Sequence, residues 1–224
     1  MTEAEWLAFT DPESMLSWLI SIANERKLRL FACACCRQIW SLLLDDRSRE
    51  AVLASEAFAD GRLRPDELAT YHAAAEASFR RCEYINERLA DAAAAAHRTA
   101  ASTEQFDVVD VQLLAANAAA YERDDSWWAD RTSNEAQWAV QARLVRDVFG
   151  NPFHPVTIGP ICRTPSVVDL ARTVYNEHAF DRMHELTVAL QQAGCADETI
   201  LDHCRGPGPH VRGCWVLDLL LNKS

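Results

Sequence analysis

The chain predicts an all-α protein, a helical bundle followed by a smaller helical C-terminal subdomain. Three observations carry this. Apolar residues recur at three- and four-residue spacing, and no stretch alternates with period two long enough to make a strand. Six of the seven glycines and six of the eight prolines lie at or beyond Gly150, which leaves the first two-thirds almost free of helix breakers. Finally, 49% hydrophobic residues in 224 supply a core without covalent staples.

The elements follow from their start and stop signals. Thr2 with Glu5 three residues later reads as a capping box. Asp11-Pro12 places a cap before a proline at the first helical position. Asn24 precedes a long apolar run from Glu25 to Leu44, in which Leu28, Phe31, Cys35, Ile39 and Leu42 form a stripe widened by Ala32, Cys36, Trp40 and Leu43. So wide a stripe marks a central helix, with Arg26, Arg37 and Ser41 on the opposite side. Asp46 opens a helix that stops near Gly61. Pro65 begins a very long one reaching about Ala101, with a seam at Leu68, Ala75, Cys82, Leu89 and Ala96. Its expected neighbour is the helix from Val108 to Tyr121, paired as an antiparallel hairpin. Thr132 and Glu135 form a second capping box, leading a helix that ends at Gly150.

Four prolines between 152 and 165 forbid regular structure there. Helices are then expected at about 165–177, 180–193 and 197–204, with a hard loop at Gly206-Pro207-Gly208-Pro209 and a final apolar segment from Cys214 to Leu221. The boundary divides a bundle, 1–149, from a loop and helical subdomain, 150–224, packed as one unit.

Charge narrows the function. Twenty-two Lys plus Arg against 33 Asp plus Glu give a net charge of −11. That excludes a binder held by nucleic-acid phosphates, which needs a basic face. The longest apolar stretch, Leu28 to Leu44, is interrupted by Arg29 and Arg37 and does not read as a membrane span. The opening Met-Thr-Glu-Ala-Glu-Trp lacks the basic, then apolar, pattern of a secretory signal. A soluble cytoplasmic protein is therefore expected, with its eight cysteines reduced.

Two stretches carry a resemblance. One is Thr2-Glu3-Ala4-Glu5-Trp6-Leu7 with Arg26-Lys27-Leu28-Arg29-Leu30-Phe31-Ala32-Cys33. The other is Ala179-Phe180-Asp181-Arg182, Ala193-Gly194-Cys195 and His203-Cys204-Arg205-Gly206-Pro207-Gly208-Pro209-His210-Val211-Arg212-Gly213-Cys214-Trp215. With the Gly150-Asn151-Pro152-Phe153 turn, they resemble an uncharacterised family of planctomycete-type bacterial proteins. The resemblance implies no activity.

Among chemical constellations, the C-terminal Cys195, His203, Cys204, His210 and Cys214 stand out, because thiolate and imidazole are the ligands zinc prefers. His203, Cys204, His210 and Cys214 are the candidate metal ligands. There is no Cys-x-x-Cys knuckle, and the competing reading makes the thiols small core residues. On that reading there is no cofactor, with zinc the alternative. Asp181 and His184 share a helical face with Glu177, His178 and Glu185 near by, and are expected to be solvated. No nucleophile elbow or phosphate loop appears. A Cys204–His210 pair keeps a thiol-dependent enzyme open. Trp127 and Trp128, flanked by acids, point about 100° apart on a helix, so one is a candidate for contact with a protein partner. The expected function is a protein-interaction or accessory module. Its alternatives are a zinc-stabilised domain and the thiol enzyme.

Overall fold

The computed structural model describes residues 1–120 and 131–223, and within them the regular structure is helical, with no strand. The chain forms two compact units, Met1–Ala142 and Arg143–Ser224. The division falls inside a helix, seven residues before Gly150. Asp147, in the last turns of that helix, is tied by hydrogen bonds to residues beyond 200.

The first unit begins with α1 (Glu3–Ala8), capped by the expected reciprocal Thr2–Glu5 box. Next come α2 (Pro12–Leu19), capped by Asp11, and α3 (Glu25–Gln38), capped by Asn24. α3 is the central helix that the wide stripe predicted. Every residue from Leu28 to Cys36 is buried, and α3 packs on α4 (Asp46–Ala59), α6 (Glu87–Thr99) and α7 (Val108–Ala120). It stops at Gln38, and Trp40–Leu42 form a short 3-10 turn.

Arg29 is fully buried in this core. Its guanidinium donates to the carbonyls of Thr99 and Ala101, pairs with Glu25, and lies 4.3 Å from the centre of the Phe106 ring. Such saturation is what makes a buried cation tolerable. Arg37, opposite the stripe, pairs with a buried acid. It grips Glu56 of α4 with Nε and Nη2, at 2.5 and 2.9 Å.

The long helix expected from Pro65 is two. α5 spans Pro65–Cys82 and α6 begins at Glu87. Asn86 accepts the Leu89 N–H through its side chain, which caps a new helix and reverses the chain. The sevenfold seam ran across this turn by accident of spacing: Cys82 and Leu89 are half-buried and Ile85 is exposed. α6 packs on both α5 and α7, so the expected hairpin with the 108–121 helix belongs to its second half. α8 spans Arg131–Phe149. In its first-unit part the Gln141 amide donates to the Gln112 carbonyl, and the Gln112 amide donates to Gln141 Oε1. Trp127 and Trp128 lie outside the described residues, as does the side chain of Thr132.

The second unit starts with the last turns of α8 and the proline-punctuated loop. It continues through α9 (Pro165–Glu177), α10 (Met183–Gln192), α11 (Glu198–Arg205) and α12 (Trp215–Leu221). Its core is built from Val167, Ala171, Tyr175, Leu186, Leu190, Ile200, Cys204, Cys214 and Leu217. Gly150 sits at φ +66°, and a Cβ there would meet the Trp215 ring at 3.2 Å. The positive φ favours glycine where α8 ends, and a larger residue would also press on the Trp215 ring. The expectation of eight reduced thiols needs correcting. Cys162, closing the 3-10 turn Pro160–Cys162, is paired in a disulfide with Cys195, just past Gly194, and six cysteines are free. Sequence spacing gave no hint of this pair, because fold alone brings the two Cα atoms to 5.0 Å.

Candidate metal centre

Three pieces of the second unit converge. α8 contributes Asp147, α11 contributes His203, and the chain after the Gly-Pro-Gly-Pro loop contributes His210 and Cys214. One ligand atom from each of the four lies within 4.8 Å of every other. Among the described residues this is the one group of three or more metal-capable side chains that is so gathered.

Asp147 is the hub. It is 3% exposed, yet its Oδ1 lies 2.9 Å from His210 Nδ1 and 3.1 Å from His203 Nε2, and its Oδ2 accepts the Val211 N–H at 2.9 Å. His203 Nε2 is also 3.1 Å from Cys214 Sγ. Burial alone would raise the Asp147 carboxyl, but hydrogen bonds and charge from His203 and His210 override it and hold the group below its ordinary value. For His210 burial works downward, and Asp147 and the Gly206 carbonyl more than compensate, so the imidazole is raised. Cys214 is fully buried, and its thiol is pushed well above the ordinary range by burial and by the Asp147 charge.

The hydrogen-bond partners fix the tautomers. Trp215 Nε1–H donates to His203 Nδ1 at 3.0 Å. Indole is a donor only, so Nδ1 must be the lone pair, and the proton of neutral His203 sits on Nε2, facing Asp147 and Cys214. His210 differs. Its Nδ1 faces a carboxylate at 2.9 Å and its Nε2 faces the Gly206 carbonyl at 3.4 Å, so each ring nitrogen has an acceptor opposite it. The same geometry suits a ligand: a metal takes Nδ1 while Nε2–H stays on the carbonyl, which is how ligating histidines are usually oriented.

Of the four residues expected from sequence, His203, His210 and Cys214 are brought together. Cys204 is not in the group, and Asp147 stands in its place. The reason is helical geometry. Cys204 follows His203 directly on α11, so its side chain leaves the helix about 100° away, into the hydrophobic core of the unit. Burial, with Asp147 second, pushes its thiol up to about 12, which disfavours the thiolate that a Cys204–His210 nucleophile would need. Cys195 is occupied by its disulfide. His184 Nδ1 bonds to the backbone carbonyl of Asp181 at 2.8 Å and Glu185 pairs with Arg182, a local solvated arrangement as expected. Asp147 was missed because it lies 56 positions before His203, one of 33 acids with no spacing to mark it. Its one signal is that Arg146 and Asp147 interrupt the apolar run Leu144, Val145, Val148, Phe149, which does not by itself single out the acid.

An open cavity of about 220 Å³ adjoins the group, lined by Asp147, His203 and His210, by Arg143 and Arg146, and by the Gly206–Pro209 loop. Comparison with known proteins gives no further guide: no protein family, curated protein or solved structure matches the chain. Among the described residues, no helix is long and apolar enough to cross a membrane.

Proposed function

We propose that residues 143–224 form a metal-binding module that holds one zinc-class divalent ion on Asp147 Oδ1, His203 Nε2, His210 Nδ1 and Cys214 Sγ. The observation that carries this reading is the convergence of those four donors from three separate chain segments. One thiolate, two imidazoles and a carboxylate suit zinc. Their charges also balance, since a dication against one carboxylate and one thiolate leaves a buried site neutral.

Two features weigh against it, and magnitudes decide between them. Zinc bonds of about 2.0–2.3 Å set ligand separations near 3.3–3.8 Å, while the contacts here are 2.9 to 3.1 Å. Those are hydrogen-bond lengths. Entry of an ion requires these three pairs to spread by a few tenths of an ångström and the wider pairs, which reach up to 4.8 Å, to close in. Secondly, a metal on His203 Nε2 moves the ring proton to Nδ1, where it opposes the Trp215 N–H. Turning that acceptor into a second donor costs about 1–3 kcal/mol. Structural zinc in small domains contributes on the order of 10 kcal/mol. The ion wins.

The test is stoichiometry. The full chain, stripped with chelator and dialysed against zinc, is expected to retain about one equivalent. Asp147→Asn, His210→Gln and Cys214→Ser should each lose it, with far-UV circular dichroism confirming that the helices persist. Wild-type protein that is folded and retains no zinc overturns the reading. In the loaded protein the Trp215 indole N–H resonance should shift, because its acceptor has gone.

A further inference from the structure

We infer that Trp215 is a positioning residue that sets how tightly the metal group binds. Its indole N–H holds His203 in the tautomer that opposes loading, and an arriving ion has to displace it. This rests on the metal reading above.

The empty arrangement comes first. Trp215 Nε1–H donates to His203 Nδ1 at 3.0 Å, and an indole nitrogen can only donate. His203 therefore keeps its single ring proton on Nε2. That nitrogen faces Asp147 Oδ1 and Cys214 Sγ, each at 3.1 Å, so it is also the atom that a shared ion must take. One hydrogen bond thus places a proton where the metal would bind.

Loading moves that proton to Nδ1. Two N–H bonds of about 1 Å then point at each other across 3.0 Å, which leaves roughly 1 Å between their hydrogens. The contact is repulsive, and His203 cannot relieve it by turning over. A half-turn of the ring exchanges Nε2 with a carbon and withdraws the ligand atom. The indole has to give way. Trp215 is placed to do so, because it is half-buried and opens α12 directly after the ligand Cys214. Its ring also lies against the end of α8, where a Cβ on Gly150 would meet it at 3.2 Å. Its displacement changes the packing at the Gly150 turn, three residues past Asp147.

The sign and size of the effect follow from what each state gains. Without the ion the indole makes a hydrogen bond; with the ion it faces a second donor. Phenylalanine keeps an aromatic ring beside Gly150 and removes the N–H. It forgoes the bond in the empty state and relieves the conflict in the loaded one, and both changes favour loading. Trp215→Phe should therefore bind zinc about 5- to 150-fold more tightly than wild type. An indole that instead supported the bound ring, by donating to a fully deprotonated imidazolate, would give the opposite sign.

The zinc affinity of the full-length wild type and of Trp215→Phe is measured by competition with a chromophoric chelator, and the ring nitrogens of His203 are followed by nitrogen NMR. The variant is expected to bind at least about fivefold more tightly. In the wild type the His203 proton should sit on Nε2 without zinc and on Nδ1 with it, and the Trp215 indole resonance should move on loading. A gain below about fivefold, or weaker binding by the variant, overturns the role of Trp215 and leaves the metal site standing. So does a loaded wild type whose indole resonance and His203 proton stay where they were. That NMR comparison decides alone if circular dichroism shows Trp215→Phe to be unfolded. Wild-type protein that is folded and binds no zinc overturns the metal reading, and this inference falls with it.

Discussion

Chelation is the perturbation with the largest expected effect on the second unit. An ion that binds only the folded form stabilises it by RT ln(1 + [zinc]/Kd), about 2.7 kcal/mol when free zinc is a hundredfold above Kd. Domains of 60–100 residues shift in Tm by about 4–8 °C per kcal/mol. Residues 143–224 fall in that range, so moving from zinc to chelator should lower their melting by roughly 10–20 °C. The first unit is an internal control, because the four ligands all lie beyond residue 142. Two transitions followed by circular dichroism and calorimetry should separate, one moving with zinc and one fixed. Cys214→Ser should melt at the same temperature in both buffers, below that of the chelated wild type. Removing the sulfur also places a hydroxyl in a fully buried position, for a further cost of about 1–3 kcal/mol. The reasoning is refuted if wild-type melting is the same in zinc and in chelator, or if the shift persists in Cys214→Ser.

Other outcomes test the first unit. Arg37→Ala should cost about 3–5 kcal/mol by native-state hydrogen exchange of α3 amides, because it takes from the buried Glu56 the guanidinium that holds both its oxygens; a loss below about 1 kcal/mol would show that the pair contributes little. Phe31→Ala and Ile39→Ala, both in the core at 0% and 2% exposure, should each cost about 2–5 kcal/mol in denaturant unfolding. Asp91 is pushed up to about 6 by burial and then by Glu87, so its contribution is fully present below about pH 4 and is lost as pH rises through 6. At pH 7 the charged carboxylate is a liability, and Asp91→Asn should stabilise by about 1–2 kcal/mol after discounting for its half-exposed position, the gain vanishing near pH 4. His97 is driven down to about 4 by burial and then by His72, which stacks on it at 4.1 Å. The unfolded chain therefore takes up a proton that the folded one refuses between about pH 6.5 and 4. Stability should fall as pH drops through that window, and His97→Gln should flatten the slope.

What was legible in the sequence was whatever depends on neighbours a few residues apart. Thr2, Asp11, Asn24 and Asp197 cap their helices because a short polar side chain reaches a backbone N–H two or three positions on. The stripe on α3 declared a central helix for the same local reason. Even the missed break between α5 and α6 had a local signal in Asn86, overridden by a heptad spacing that happened to continue across the turn. Pairings fixed by tertiary packing were not legible. Cys162 meets Cys195, Arg37 meets Glu56, and Asp147 meets His203 and His210, each across a separation that no helical period marks.

The metal group shows how the two kinds of information combine. Soft ligands are scarce, so composition alone pointed to the histidines and thiols after residue 194. It could not choose between Cys204 and Cys214, because that choice turns on which side of α11 faces α8. Adjacent helical residues diverge, so with His203 directed at Asp147, Cys204 must enter the core. The fourth candidate ligand comes from outside the cluster. A carboxylate on the neighbouring helix meets that need and brings the negative charge that a dication with one thiolate still requires. Replacing it should therefore be worse for binding than for folding. Asp147→Asn retains an oxygen for the Val211 N–H but removes the negative charge that faces His203 and His210 and that the proposed ion would need.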